Sequence, residues 1–132
     1  MTIRLDHTIV PAKDQMASAE FFAAIFGLTV EPGYFAQVQI NDSLTFDFAD
    51  EEEATGRRLH YAFHVSEAEF EAIFGRIKAR GIAYGSQPSS HTDGRINRRR
   101  GGRGFYFEDP YGHLLEVMTV PETQSKATTK RR

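Results

Sequence analysis

Leu59-His60-Tyr61-Ala62-Phe63-His64-Val65-Ser66-Glu67-Ala68-Glu69-Phe70 reads as a strand that runs directly into a helix. Residues 59–65 alternate, placing Tyr61, Phe63 and Val65 on one sheet face and His60, Ala62 and His64 on the other. Ser66 and Glu69 form a Ser-x-x-Glu capping box, and Phe70, Ile73, Phe74 and Ile77 then recur at helical spacing until Gly81. The same order occurs earlier, with Leu5-Asp6-His7-Thr8-Ile9-Val10 as the strand and Asp14 as the N-cap. Ala17, Phe21, Phe22 and Ile25 form the helix face and Gly27 is the stop. His7 precedes its closing glycine by 20 residues and His60 precedes its own by 21. The chain is therefore an internal repeat, with a histidine in the first strand of each half.

After each helix the turn signals divide the chain into three further short strands. In the first half these are residues 28–31, 35–40 and 44–48, separated by Pro32-Gly33 and Asn41-Asp42-Ser43. In the second they are 82–86, 104–108 and 113–119, the last pair joined by Asp109-Pro110-Tyr111-Gly112. Each half reads β-α-β-β-β, so an α+β fold is expected, built from a module over 3–49 and a module over 58–120. The acidic stretch 50–57 is the expected hinge and 121–132 an expected disordered tail, too polar to pack. A four-stranded sheet of this kind leaves one face uncovered. The two βαβββ modules are accordingly expected to join edge to edge into one curved mixed sheet around a cleft, as a single domain over 1–120.

Composition narrows the chemistry. The 132 residues include no cysteine, which excludes thiolate catalysis, disulfides and cysteine-type zinc sites and leaves His, Asp and Glu as ligands. Sixteen basic and 18 acidic residues give a net charge of -2, so no long-range field attracts nucleic acid or an anionic membrane. The first 30 residues carry Arg4, Asp6, Lys13 and Asp14 without an apolar signal-like core, and a cytoplasmic protein with no membrane association is expected. Glu116 interrupts the apolar run Leu114-Leu115-Glu116-Val117-Met118, where an unpaired charge would be costly. His7, His60 and Glu116 together supply the ingredients of an open metal site.

The segment Gly104-Phe105-Tyr106-Phe107-Glu108-Asp109-Pro110-Tyr111-Gly112-His113-Leu114-Leu115-Glu116, with the two strand histidines, resembles the vicinal oxygen chelate superfamily over residues 3 to about 120. That superfamily includes glyoxalases, fosfomycin-resistance enzymes, extradiol dioxygenases and bleomycin-resistance proteins. The resemblance implies that His7, His60 and Glu116 bind a divalent metal ion, such as Fe, Mn, Ni or Zn. It places Tyr106, ten residues before the glutamate, beside metal-bound substrate. Asp47 occupies the repeat position equivalent to Glu116 and is a candidate fourth ligand, balanced against a solvated strand residue. Members of this length commonly form homodimers in which the first half of one chain completes the cleft of the other. No match is evident for the separate acid-base histidine of the dioxygenases, nor for the potassium-binding loop and phosphonate-binding residues of the fosfomycin transferases.

Three protein ligands would leave two or three positions for a substrate with two adjacent oxygens and for water or dioxygen. The expected function is a glyoxalase- or dioxygenase-type enzyme acting on a small vicinal-oxygen or catechol-like metabolite. Tyr106 and Glu116 are its expected catalytic groups. The alternative is a bleomycin-resistance-like protein that sequesters an aromatic drug without chemistry; a third reading is an interaction module that has lost activity. Residues 89–103 hold Arg95, Arg98, Arg99, Arg100 and Arg103, either as a solvated loop or as a lid over an anionic or aromatic substrate. Arg95, Arg103 and the rim residue His64 are the expected substrate contacts. His113, opposite in parity to Glu116, is expected to cap the turn or pack on the outer face.

Overall fold

Asp14 starts the first helix as expected: its side chain accepts the backbone N–H groups of Met16 and Ala17, and Gly27 ends the helix in the left-handed conformation at φ 73°. The computed structural model describes residues 3–51 and 58–122. These form seven strands and two helices: β1 (His7–Ala12), α1 (Gln15–Phe26), β2 (Val30–Glu31), β3 (Ala36–Gln39), β4 (Thr45–Asp50), β5 (His60–His64), α2 (Glu67–Ala79), β6 (Gly104–Glu108) and β7 (Leu114–Met118). Among the described residues no helix is long and apolar enough to cross a membrane. The chain divides into two compact units. One contains the described residues of Met1–Arg58 with Asp109–Gly112, the other those of Leu59–Glu108 and His113–Arg132. Most of the expected hinge and of the expected tail lies outside the described residues.

The first unit has one mixed sheet in the order β1-β4-β3-β2, with β1 and β4 parallel and the other pairs antiparallel. Phe46 and Phe48 alternate toward α1, where Phe22 meets their rings at centroid distances of 5.4 and 5.9 Å. Asp47, between them, points to the other face, and its register partners are Ile9 and Gln37.

The second unit repeats the plan with the sheet order β5-β7-β6, again with the first pair parallel. Both halves of the Ser66–Glu69 capping box are formed, and α2 buries Phe70, Ile73 and Ile77. Phe105 is fully buried against this helix, its ring 5.4 Å from Phe70, 5.3 Å from Phe74 and 6.0 Å from Tyr84. Leu115 and Val117 share that inner face, so Glu116 lies on the opposite one, paired in register with Ala62 and Tyr106. His113 is completely buried just before β7, and its Nδ1 accepts the Leu59 backbone N–H at 2.9 Å, a local structural role of the kind expected from its parity.

One expected strand does not form. Residues 82–86 make a single bridge, Gly85 with Tyr106, where the two backbones exchange hydrogen bonds of 3.0 and 2.8 Å. The ladder stops because the adjoining polar groups are used by a loop: Asp93 accepts both the N–H and the hydroxyl of Ser86, and the Tyr84 carbonyl accepts the Gly94 N–H. Gly85 makes this folding-back possible, since a Cβ there would stand 2.1 Å from the Ser90 carbonyl oxygen.

Candidate active site

Strand parity brings His60, Tyr106 and Glu116 to the face of the second sheet that α2 does not cover. Glu116 is only 8% exposed, and one carboxylate oxygen, Oε1, lies 3.1 Å from His60 Nε2. The His60 ring is 5.9 Å from the Tyr106 ring, centroid to centroid. Tyr106 is buried, and that desolvation is the main reason its phenol pKa is raised; the nearby Glu116 charge adds to the shift while Arg99 opposes it. The hydroxyl is therefore held protonated, as a donor.

Arg99 completes this group and was not singled out by sequence spacing. Its Nη1 donates to the Tyr106 hydroxyl and stands 3.9 Å from the second Glu116 oxygen, Oε2, while Nη2 donates to Gln87 Oε1 at 2.5 Å. The guanidinium also lies over the Tyr106 ring. The loop delivers it through Asn97, which bridges to Gly104, and whose side chain accepts the Arg99 N–H and donates to the Ser86 carbonyl. Arg100 then takes a left-handed φ of 56°, an uncommon conformation for a side chain of this size.

The two arginines expected at the substrate are placed differently. Arg103 pairs with Glu67 at 2.8 Å and Glu71 at 2.6 Å and lies over Phe70, so it is fastened to α2 on the opposite side of the sheet. It has the parity of Phe105, which was legible in the sequence. Arg95 is exposed, with its backbone N–H bonded to Asp93, and no contact to His60, Tyr106 or Glu116 is formed. His64 is exposed on the same face as His60. His91, given no role from the sequence, has its Nε2 2.6 Å from Glu108 Oε2 and its Nδ1 3.1 Å from the Pro88 carbonyl oxygen.

In the first unit, His7 is exposed and its Nδ1 is 2.8 Å from Asp6 Oδ2. A carboxylate only accepts, so Nδ1 carries the hydrogen and, in the neutral ring, Nε2 keeps the lone pair. The Asp6 hydrogen bond is the principal reason the His7 pKa is raised, with the Asp6 and Asp47 charges adding to it. Asp47 is 6% exposed and accepts from Gln37 Nε2 at 3.0 Å, so the solvated alternative for this residue does not hold. Among the described residues, no three His, Cys, Asp or Glu side chains gather into a group that could hold a metal within one chain.

The spacing of His60 and Glu116 nevertheless suits an ion. Two donors that each stand about 2.0–2.2 Å from a metal at right angles are separated by about 3 Å. An imidazole and a carboxylate are also a donor set used for iron, manganese, nickel and zinc.

Several known proteins are similar to this chain. The Oxidase ChaP-H2 structure is 49% identical, covering 92% of this chain and 96% of that one, with a TM-score of 0.86. Oxidase ChaP-H1 is 44% identical over 91% of this chain and 98% of its own, with a TM-score of 0.85. Glutathione transferase FosA from Serratia marcescens is 29% identical over 120 residues, covering 86% of this chain and 78% of that protein. Residues 4–117 match the model of a single family. With that match over most of its length, the chain belongs to the Glyoxalase/Bleomycin resistance protein/Dioxygenase superfamily.

Proposed function

We propose that this chain is a metal-dependent, oxygen-handling enzyme that takes a small vicinal-oxygen or catechol-like substrate by bidentate chelation. One observation carries the reading: a carboxylate buried to 8% exposure stands 3.1 Å from an imidazole nitrogen, on the sheet face that also bears a buried tyrosine. A buried carboxylate is costly unless cations compensate it, and Glu116 is retained here with one oxygen on an imidazole and the guanidinium of Arg99 no nearer than 3.9 Å to the other.

In this reading His60 and Glu116 are two ligands of a divalent ion, Fe, Mn, Ni or Zn. His7 is the third, presenting Nε2 while Asp6 orients its ring from Nδ1, an arrangement common behind metal-binding histidines. His7 belongs to the other unit, and we assign it to a second copy of the chain, in keeping with the dimers common among proteins of this family, so that a homodimer builds each site. Asp47 is a candidate fourth donor. A bound ion would supply Lewis-acid polarisation of two adjacent substrate oxygens. The chain's own residues do the rest: Tyr106 donates its hydroxyl to a substrate oxygen, and Leu114 and Met118, flanking Glu116 on its face, limit water there.

Two relatives named as oxidases favour oxygen chemistry over a lyase reaction. The test is oxygen consumption by protein loaded with each ion in turn and offered a panel of catechols. Uptake that depends on the ion and is lost in His60→Ala is expected. Consumption of glutathione without oxygen uptake would move the chain toward transferase chemistry, as in the FosA relative. Tight binding of an aromatic compound unaffected by His60→Ala would instead support drug sequestration.

A further inference from the structure

The charges around Glu116 do not balance once it serves as a ligand. Its Oε1 faces His60, while its Oε2 is 3.9 Å from Arg99, whose guanidinium is held in place by Tyr106 and Gln87 and by the Asn97-braced loop. A divalent ion sharing this carboxylate with Arg99 gives +2 from the ion, -1 from Glu116 and +1 from Arg99, a net +2, and still a net +1 with Asp47 as a fourth donor. That excess has to be met by the incoming ligand. Of the loop arginines, Arg103 is taken by Glu67 and Glu71 and Arg95 is exposed, whereas Arg99 projects beside the site.

We propose that Arg99 is the specificity-determining residue of the site: it receives an anionic oxygen that the substrate carries in addition to its chelating pair. Vicinal-oxygen chelators that also bear a carboxylate or other further anionic oxygen are thereby preferred over chelators without one. Guanidinium suits this role because it stays charged and has five N–H donors, more than its hydrogen bonds to Tyr106 and Gln87 use, while standing 3.9 Å from the proposed ligand Glu116. This inference rests on the metal reading of His60 and Glu116.

The experiment uses the full chain loaded with Mn2+ and two probes. Oxalate chelates with one oxygen of each carboxylate and leaves the other two, which share the carboxylate charge, uncoordinated, whereas acetohydroxamate chelates as a monoanion with no oxygen to spare. In Arg99→Gln, oxalate affinity is expected to fall by about tenfold or more, the scale of one charge-assisted hydrogen bond, while acetohydroxamate affinity stays within about twofold. Arg99→Lys, which keeps the charge, is expected to recover part of the loss. Equal oxalate affinity in wild type and Arg99→Gln would overturn the assignment, as would an equal loss for both probes or a Mn2+-loaded wild type that leaves oxalate unbound. A wild-type protein that takes up no metal would instead overturn the metal reading, and this inference with it.

Discussion

A Glu116→Gln variant is expected to lose Mn2+ affinity by more than about 100-fold, beyond the 10–100-fold typical of residues that only orient a ligand. Its resistance to urea should stay within about 1 kcal/mol of wild type. The two expectations together distinguish a ligand from a structural charge. Glutamine keeps the volume but removes the charge from a group that is 8% exposed. Its polar neighbours do not become buried and unpaired, because the side chains of His60 and Arg99 retain 46% and 33% exposure and the buried Tyr106 hydroxyl keeps its hydrogen bond from Arg99. Calorimetric Mn2+ titration and urea unfolding measure the two quantities. Unchanged metal affinity would remove Glu116 from the site, and a stability loss of several kcal/mol would make it a structural residue.

The largest expected stability effect lies on the other face of the same sheet. Phe105→Ala should cost about 3–5 kcal/mol, the usual range for removing a buried aromatic ring, because four aromatic rings surround it and leave little scope for collapse. These are Phe70, Phe74, Tyr84 and Phe107, with centroids between 5.3 and 6.0 Å away. The same layer backs β6, so the variant should also loosen the Gly85–Tyr106 bridge and expose the backbone amides of both residues to faster hydrogen exchange. A shift in urea midpoint equivalent to less than about 1 kcal/mol would show that the cluster is not the centre of this core.

Much of this was legible in the sequence because the deciding signals are local. Asp14 with Gly27 and Ser66 with Glu69 fix helix ends within a few residues, and the two-residue period of a strand separates Glu116 from Leu115 and Val117 without tertiary knowledge. The same parity rule, applied to Arg103, would have placed it with Phe105 on the helix side. The misread strand at 82–86 failed for a different reason: Ser86 bonds to a carboxylate seven residues on, and an apolar alternation does not reveal that competition. Arg99 was the least legible residue. Five arginines crowd this loop, and the one turned toward Tyr106 is held by tertiary contacts, the Asn97–Gly104 bridge, the Asn97 side chain and Gln87, that spacing does not reveal. The copy of the chain to which the proposed ligand His7 would contribute also lies beyond one sequence, since repeat position identifies the residue alone.

Diffraction at the manganese absorption edge, from crystals grown with Mn2+, tests the central claim most directly. An anomalous peak is predicted within about 2.0–2.3 Å of His60 Nε2, a Glu116 carboxylate oxygen and the Nε2 of a His7 contributed by a second copy of the chain. Well-diffracting crystals with no peak between His60 and Glu116, or with the ion bound elsewhere, would contradict it.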